Sequence, residues 1–342
     1  MSGETAPPYY TYYMTFRCNL HCAMCYQRAQ RRQLAEELSF KEATGMFDKI
    51  AHLERVNLIG GEVFVRPDAL DLLEYFDGRG VITYVTTNGT LLDEAKIERL
   101  LALRRLLGVT VSLDALGDTY RSIRRGRSGA GRILEVIRRL AGRTEVRVNS
   151  VLLAENAEQF GPLVEAVAEA GASMLKVQLQ IAHSPWVVDC TEQCVQEWMG
   201  FPVPCLYPRE IKIWDVGLLR TAIQDIRQAA DGCGLHVRIF PGELLHHLDE
   251  YAAETLWRNW RLDCEGFTHI PRLKVFPDGE VIFCEGLGLS LGNLQKQPVD
   301  QIWNSPALRT FRRHFERAGG LPICGRCCRV VVGSKRAVPE KS

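Results

Sequence analysis

Apolar and polar residues along the chain fall into two patterns that alternate. Short apolar runs predict strands at residues 9–16, 55–61, 81–89, 108–115, 145–153, 173–181 and 235–240. Longer amphipathic segments predict helices at residues 39–53, from about 67, and at 93–106, 131–142, 156–170 and 215–231. Ser39, with Glu42 three residues later, forms a capping box at the start of the first helix. Six such βα steps with right-handed crossovers predict an α/β fold, a partial (β/α)6 TIM-like barrel of parallel strands.

The composition of the strands and the break in their pattern add two further expectations. The strands are rich in Val, Ile and Leu, which is typical of strands that are buried on both faces. The pattern breaks at residues 183–210, where four prolines and two tryptophans occur without a clear period. We therefore predict an irregular loop over this stretch.

The C-terminal third predicts a second, smaller domain. Helices are expected near residues 242–260 and 299–315, and Pro-Asp-Gly at 277–279 between apolar runs predicts a hairpin turn. These elements divide the chain into three expected parts: a barrel core over residues 9–241, a small domain over 242–332 and a tail over 333–342.

Charge and hydropathy exclude some classes of partner. The net charge of +1 gives no reason to expect a nucleic-acid partner. No apolar run approaches the roughly 18 residues of a membrane helix, and the first residues lack the basic and apolar segments of a signal peptide. We expect a cytoplasmic protein with no membrane partner.

The 12 cysteines occur mostly in three groups. Cytoplasmic thiols stay reduced, so clustered cysteines predict metal ligands rather than disulfides. The groups are Cys18, Cys22 and Cys25; then Cys190, Cys194 and Cys205; then Cys264, Cys284, Cys324, Cys327 and Cys328. Three thiols cannot pair off, and they leave one coordination position open for a ligand from outside the protein.

The first group carries a resemblance to a known family. The spacing C-x3-C-x2-C after a first barrel strand, with the aromatic Tyr26 behind the last cysteine, resembles the radical S-adenosylmethionine (SAM) superfamily. The resemblance implies that Cys18, Cys22 and Cys25 hold three irons of a [4Fe–4S] cluster. The fourth iron would bind SAM, which an electron then cleaves to a 5′-deoxyadenosyl radical that abstracts a substrate hydrogen atom. It also implies a flavodoxin- or ferredoxin-type reductant as partner.

The ends of the following strands resemble the family's SAM-binding positions. The run Gly60-Gly61-Glu62-Val63 resembles G-G-E-P, in which the glycines let the backbone approach a ligand and Glu62 accepts a hydrogen bond from the SAM ammonium. The other cofactor-binding positions that the resemblance implies are Asn88, Ser112, Asn149 and Arg125, or Arg124 beside it. Asp114 is expected near the active site as a catalytic residue.

The third cysteine group resembles the SPASM/twitch domain, which holds auxiliary iron–sulfur clusters. No cysteine follows Cys328, so the chain resembles the shortened form with one auxiliary [4Fe–4S] cluster. The expected ligands are Cys264, Cys284, Cys324 and Cys327, and Cys328 is the alternative to Cys327. A closed zinc site made of four thiolates is the alternative to a cluster.

The resemblance leaves the reaction open. Because only 17 residues precede Cys18, we expect no fused leader-binding module, which favours a small molecule over a peptide. Members with one auxiliary cluster include dehydrogenases that oxidise a hydroxyl-bearing carbon of an aminocyclitol, and we favour this reaction on a substrate of sugar or aminocyclitol type.

Three alternatives remain. A radical epimerase would use a cysteine hydrogen donor, for which Cys190, Cys194 and Cys205 are candidates, because their loop is expected on the face where substrate binds. These three thiols could instead be ligands of a further metal, and His183 is a candidate proton acceptor. Maturation of a ribosomal peptide is the second alternative, and a non-catalytic electron carrier is the third.

Overall fold

The computed structural model describes residues 5–28, 36–210, 215–268 and 271–336, and its centre is a sheet of ten strands. The strands of the molecule are β1 Tyr9–Thr15, β2 Arg55–Gly60, β3 Ile82–Thr87, β4 Leu106–Ser112, β5 Glu145–Leu152, β6 Met174–Leu179, β7 His236–Phe240, β8 Trp260–Cys264, β9 Leu273–Val275, β10 Glu280–Ile282, β11 Ser290–Asn293 and β12 Val330–Lys335. The sheet runs in the order β11-β10-β9-β1-β2-β3-β4-β5-β6-β7, and β8 pairs with β12 in a second, two-stranded sheet.

Strands β1 to β7 are parallel and joined by helices, as the alternating pattern predicts. The α-helices are α1 Phe40–Asp48, α2 Ala69–Gly78, α3 Glu94–Leu101, α4 Gly117–Arg124, α5 Ala130–Leu140, α6 Phe160–Glu169, α7 Pro185–Met199, α8 Val216–Cys233, α9 Leu248–Ala252, α10 Leu256–Asn259, α11 Glu265–Thr268, α12 Val299–Trp303 and α13 Pro306–Ala318. The predicted capping box is present, because the Ser39 hydroxyl accepts from the Glu42 amide and the Glu42 carboxylate accepts from the Ser39 amide. None of the helices in the described ranges combines the length and apolarity that a membrane crossing needs.

The sheet curls around a central lumen, so the prediction of a partial barrel is confirmed. One cavity of about 440 Å³ is lined by side chains of β1 at one end of the parallel set and of β7 at the other. The expectation that the strands are buried on both faces holds for β1 but is wrong for β3, β5 and β6. Burial alternates strictly along β3, β5 and β6, because one face packs against helices and the other lines this lumen.

The C-terminal residues extend the barrel sheet at its β1 edge. Strand β9 lies parallel to β1, and β10 and β11 follow antiparallel. The predicted turn joins β9 to β10, with Gly279 at a φ of 83°, in the left-handed region that favours glycine. Strand β12 runs past the expected boundary at 333, and residues 337–342 lie outside the described ranges.

Three predictions of local structure are wrong. Residues 185–199 form helix α7 rather than an irregular loop. Ser184 caps this helix, Pro185 occupies its first turn, where a missing N–H costs nothing, and Gly200 ends it at a φ of 78°. The predicted helix at 299–315 is two helices, because Ser305 and Pro306 begin α13 anew. The predicted helix at 242–260 is broken into a 3-10 turn, α9 and α10.

Candidate active site

The first cysteine group lies where β1 ends, beside the ends of β2, β3 and β4. The loop is fixed by the Ala23 amide, which donates to the carbonyl of Ile123 at 2.9 Å. Cys22 is buried, and Cys18 and Cys25 are partly exposed. Burial raises the pKa of the Cys22 thiol, the charge of Arg124 lowers it, and the charges of Asp114, Cys25 and Cys18 raise it.

Two side chains direct N–H donors at these sulfurs. Asn88 Nδ2 lies 3.9 Å from Cys18 Sγ, and Arg124 Nη1 lies 3.8 Å from Cys22 Sγ. Donors at this range favour the thiolate form that iron requires. The three thiols therefore fit the [4Fe–4S] cluster that the family resemblance implies.

Asp114 and Arg124 form a buried ion pair behind the loop. The Asp114 side chain is 0% exposed and also accepts from the Val151 amide at 2.8 Å. The prediction of Asp114 as a catalytic residue is not supported, because its carboxylate is enclosed and engaged by Arg124. The prediction of Arg125 at the cofactor also changes. Arg125 is exposed, with a left-handed φ of 50° at the end of α4, and it is Arg124 that reaches the site.

Glu62 is almost completely buried, and it organises the end of β3. Its Oε1 accepts from the Thr87 hydroxyl at 2.7 Å and the Phe64 amide at 3.2 Å, and its Oε2 accepts from the Asn88 amide at 2.6 Å. Burial raises the pKa of Glu62, and these three donors oppose that rise. Because a carboxylate oxygen can accept two hydrogen bonds, Oε2 keeps one position for a ligand such as the SAM ammonium.

Gly60 and Gly61 allow two backbone segments to lie very close together, whereas the prediction was a close approach of the backbone to a ligand. A Cβ on Gly60 would stand 2.2 Å from the Thr15 carbonyl oxygen, and one on Gly61 would stand 2.3 Å from that of Arg17. The two glycines thus let the end of β2 pack against the backbone that leads into the cysteine loop.

Ser112 and Asn149, two predicted SAM-binding positions, are neighbours in the sheet, and of the two Asn149 lines the lumen cavity. They are paired across β4 and β5, and the same row continues through Lys176 on β6 to Arg238 on β7. Asn149, Lys176 and Arg238 line the lumen cavity. The row joins two predicted cofactor residues to two cations that the sequence reading did not single out.

The expected auxiliary ligands surround a small cavity between the C-terminal elements. Cys264 ends β8, Cys284 follows β10, and Cys324 and Cys327 belong to the short turn after α13. All four line one cavity, whose other walls are largely apolar and include Phe283, Phe311, Phe315, Leu321 and Ile323. Within the described ranges, no three His, Cys, Asp or Glu side chains are grouped as ligands of a single metal ion. The thiols face each other across the cavity, which fits a cluster of several irons.

Cys327 and Cys328 differ in what they face. Cys327 lines the four-thiol cavity and Cys328 lines the barrel lumen, and both line a second small cavity together with Cys264 and Cys284. A hydrogen bond from Cys328 lowers the pKa of Cys327 to about 7, and burial raises the pKa of Cys284 to about 12. The geometry favours Cys327 as the fourth ligand.

The remaining predicted residues lie away from the lumen. Cys190 and Cys194 are on α7, which packs against α13. Cys205 forms an isolated antiparallel β-bridge with Leu287, and burial raises the pKa of its thiol to about 11. None of these three thiols lines the lumen cavity formed by the described residues. The expectation that they lie on the substrate face is therefore not supported.

His183 is 1% exposed, stacked on Tyr207 and 3.6 Å from Glu254. Burial lowers its pKa, and a side chain enclosed in this way cannot reach a substrate in the lumen. The prediction of His183 as a proton acceptor is not supported either.

Comparisons with known proteins agree with this geometry. The family model described as the radical SAM superfamily matches residues 12–167, and the one described as an iron–sulfur cluster-binding domain, SPASM, matches residues 264–328. The AdoMet-dependent heme synthase of Methanosarcina barkeri is 26% identical over 341 residues, covering 93% of this chain and 88% of its own length. The antilisterial bacteriocin subtilosin biosynthesis protein AlbA of Bacillus subtilis is 30% identical over 171 residues, covering 48% of this chain and 38% of its own length.

A solved structure shares the fold. The crystal structure of Streptococcus suis SuiB bound to precursor peptide SuiA superposes with a TM-score of 0.67 at 16% identity, over 95% of this chain and 72% of that one. The likeness covers both the barrel and the C-terminal elements, and at this identity it supports the fold alone.

Proposed function

Because the chain belongs to the radical SAM superfamily and carries a SPASM iron–sulfur domain, it is an enzyme of SAM and [4Fe–4S] clusters, and we propose that it dehydrogenates a small molecule at a hydroxyl-bearing carbon. When bound, SAM and its cluster supply the radical that removes a hydrogen atom from the substrate, and the auxiliary cluster supplies an acceptor for the second electron. The net change is the loss of two hydrogens.

The chain's own residues bind and orient these groups. The first three cysteines would hold one cluster. Asn88 and Arg124 donate towards the Sγ atoms of two of them, Cys18 and Cys22. Glu62 follows β2, Ser112 ends β4 and Asn149 lies beside Ser112 on β5, where polar atoms of SAM would find partners. Cys264, Cys284, Cys324 and Cys327 would hold the auxiliary cluster.

One observation carries the choice of oxidation. The lumen cavity extends from Asn149, at the expected SAM-binding row, to Cys328 and Arg329, next to the auxiliary ligand Cys327. A substrate in this cavity would lie beside the auxiliary cysteines and reach Asn149 on β5. Epimerisation by the predicted donors has less support, because Cys190, Cys194 and Cys205 do not line the cavity, and Cys328 is the thiol that does.

A peptide substrate is the second candidate, and the names of two similar proteins favour it. AlbA is named for bacteriocin biosynthesis, and SuiB is seen with a precursor peptide. A precursor peptide encoded beside the gene that raises 5′-deoxyadenosine formation would replace the small molecule as substrate.

The test is anaerobic turnover with SAM, a chemical reductant and a panel of small hydroxy acids and sugars. We expect 5′-deoxyadenosine together with a product two hydrogens lighter than its substrate. Cys284→Ala should keep SAM cleavage and lose the product, while Cys18→Ala should lose both. A product of unchanged oxidation state that gains one deuterium in D2O would show an epimerase and overturn the proposal.

A further inference from the structure

The lumen cavity carries an excess of positive charge that the proposed reaction does not use. Six cationic side chains line it, against two carboxylates. The cations are Arg55, Arg147, Lys176, Arg238, Arg272 and Arg329, and the carboxylates are those of Glu265 and Glu285. The whole chain has a net charge of only +1, so this excess is local.

Several of the cations have donors without acceptors. Arg55 Nε, Arg272 Nε and Arg329 Nη1 are buried and lack a hydrogen-bond partner among the described residues. The Arg55 guanidinium carbon lies 5.1 Å from the ring centre of Tyr9 and 5.7 Å from that of Tyr84. These rings attract the cation through their faces but provide no hydrogen-bond acceptor for its N–H groups. Burying charged groups that are incompletely paired is costly, and the negative charge of an anion bound in the lumen would offset that cost.

Lys176 marks the centre of this lining. It lies between Asn149 and Arg238 in the row that crosses β5, β6 and β7. Burial lowers its pKa, and the charges of Arg147, Arg238 and Arg272 lower it further, opposed by Glu145. Of the nearby carboxylates, Glu145 accepts hydrogen bonds from Nε and Nη2 of Arg147, each at 2.7 Å. It is therefore engaged by Arg147 rather than by Lys176.

Neutralising the auxiliary cluster accounts for only part of the charge. Arg272, Arg329 and Lys274 line the cavity that contains Cys264, Cys284 and Cys327, and they suit that role. Arg55, Lys176 and Arg238 stand on β2, β6 and β7 and do not line it. Their charge faces the lumen, where a substrate would bind.

We propose that the lumen binds a small molecule with at least two acidic groups, carboxylates or phosphates, held by Lys176 and Arg238 on one wall and by Arg55, Arg272 and Arg329 on the other. This inference rests on the proposed function, because it assigns the substrate class of the same cavity. It replaces the expected aminocyclitol with an acidic substrate, since a cationic aminocyclitol would be repelled by this lining.

The test is equilibrium binding to the reconstituted full chain, measured by anaerobic calorimetry. The probes are benzene-1,3,5-tricarboxylate and inorganic pyrophosphate, with benzene-1,3,5-tricarboxamide as the neutral match. We expect at least one anion to bind with 1:1 stoichiometry and the amide not to bind, and the tighter anion identifies the acidic group. Lys176→Gln should weaken binding about tenfold, the loss of one charge-assisted contact, while Lys176→Arg stays within about threefold.

Lys41→Gln, which removes an exposed lysine of α1, should leave anion binding unchanged. If Lys176→Gln loses iron and does not fold, Arg238→Gln takes its place, because Arg238 is on an exposed edge strand. The inference is wrong if neither anion binds, if the amide binds as well as the acid, or if the lumen variant behaves like Lys41→Gln. The assay is independent of SAM cleavage. Anion binding without 5′-deoxyadenosine would overturn the proposed function alone, and 5′-deoxyadenosine without anion binding would overturn this inference alone.

Discussion

At the scale of single residues, the strongest prediction concerns the pair Asp114–Arg124. Asp114→Asn leaves the Arg124 guanidinium buried without its carboxylate, and breaking a buried pair costs roughly 3–5 kcal/mol of unfolding free energy. Asp118→Asn is the matched control, because Asp118 pairs with Arg121 on the exposed side of the same helix and such pairs contribute at most about 1 kcal/mol. Anaerobic urea unfolding measures both. Equal losses in the two variants would show that Asp114 is not a buried counter-ion.

Glu62 gives a second prediction at this scale. Glu62→Gln keeps the size of the side chain but removes the charge that would meet the SAM ammonium, a contact of roughly 1.5–3 kcal/mol. We expect SAM affinity to fall by about 10- to 100-fold in equilibrium binding. Glu98→Gln, at an exposed carboxylate paired with Arg143, should not change it. Unchanged affinity in Glu62→Gln would limit Glu62 to holding Thr87 and Asn88.

The sequence identified residues whose role depends on local spacing. The thiols of the first loop and Glu62 follow strand ends after only a few residues, so the edge of the sheet at which they lie could be predicted. The choice between Arg124 and Arg125 could not, because it depends on the phase of α4, a helix absent from the predicted elements. Asp114 could not be interpreted either, since its partner lies ten residues away on that helix.

At the scale of elements, the two cysteine loops lead to a prediction of iron content. Two [4Fe–4S] clusters give about eight irons per chain after reconstitution, and replacing Cys18, Cys22 and Cys25 with Ala should leave about four. Cys327→Ala should also leave about four, because Cys327 lines the four-thiol cavity. Cys328→Ala is its neighbouring control and should keep about eight. The reverse result for the two variants would make Cys328 the ligand, and a wild type with four irons and bound zinc would exclude the auxiliary cluster.

The elements also show what a hydrophobic pattern predicts well. Strands β1 to β7 appear within three residues of their expected bounds, because apolar runs between amphipathic helices leave few alternatives. Helix α7 was missed because the prolines of residues 183–210 indicated a loop, yet Pro185 is in the first turn and the others follow Gly200. The polar lumen was missed although β5 and β6 alternate strictly, with Arg147, Asn149, Lys176 and Gln178 on one face.

At the scale of the whole molecule, the link between barrel and C-terminal domain could not be predicted from the sequence. Strand β9 has only three residues, and its partner β1 is more than 250 positions away. Such a pairing depends on the tertiary fold, because a short strand carries too little local preference to select a partner. The order of the strands in the sheet therefore depends on tertiary packing, and the hydrophobic pattern of the sequence does not predict it.

Arg326 provides the last prediction, because it joins the auxiliary loop, the turn that carries Cys324 and Cys327, to the barrel by hydrogen bonds. It lies between Cys324 and Cys327, is 2% exposed, and donates to the carbonyls of Ala182 after β6 and of Tyr251 and Ala252 in α9 at 2.8 to 2.9 Å. Its Nη1 also lies 3.3 Å from Glu254. One planar guanidinium therefore joins the end of the barrel sheet, a helix and the loop that carries two expected ligands.

Arg326→Lys keeps the charge, but a single ammonium cannot span three carbonyls, so buried acceptors lose their donors at about 1–3 kcal/mol each. We expect a loss of unfolding free energy of that size or more, together with faster loss of iron to a chelator from the auxiliary site than from the first loop. Arg309→Lys is the matched control, because Arg309 also donates to a backbone carbonyl, that of Asn304, but on the exposed surface. Equal iron release from the two variants would mean that the auxiliary loop keeps its geometry without the barrel.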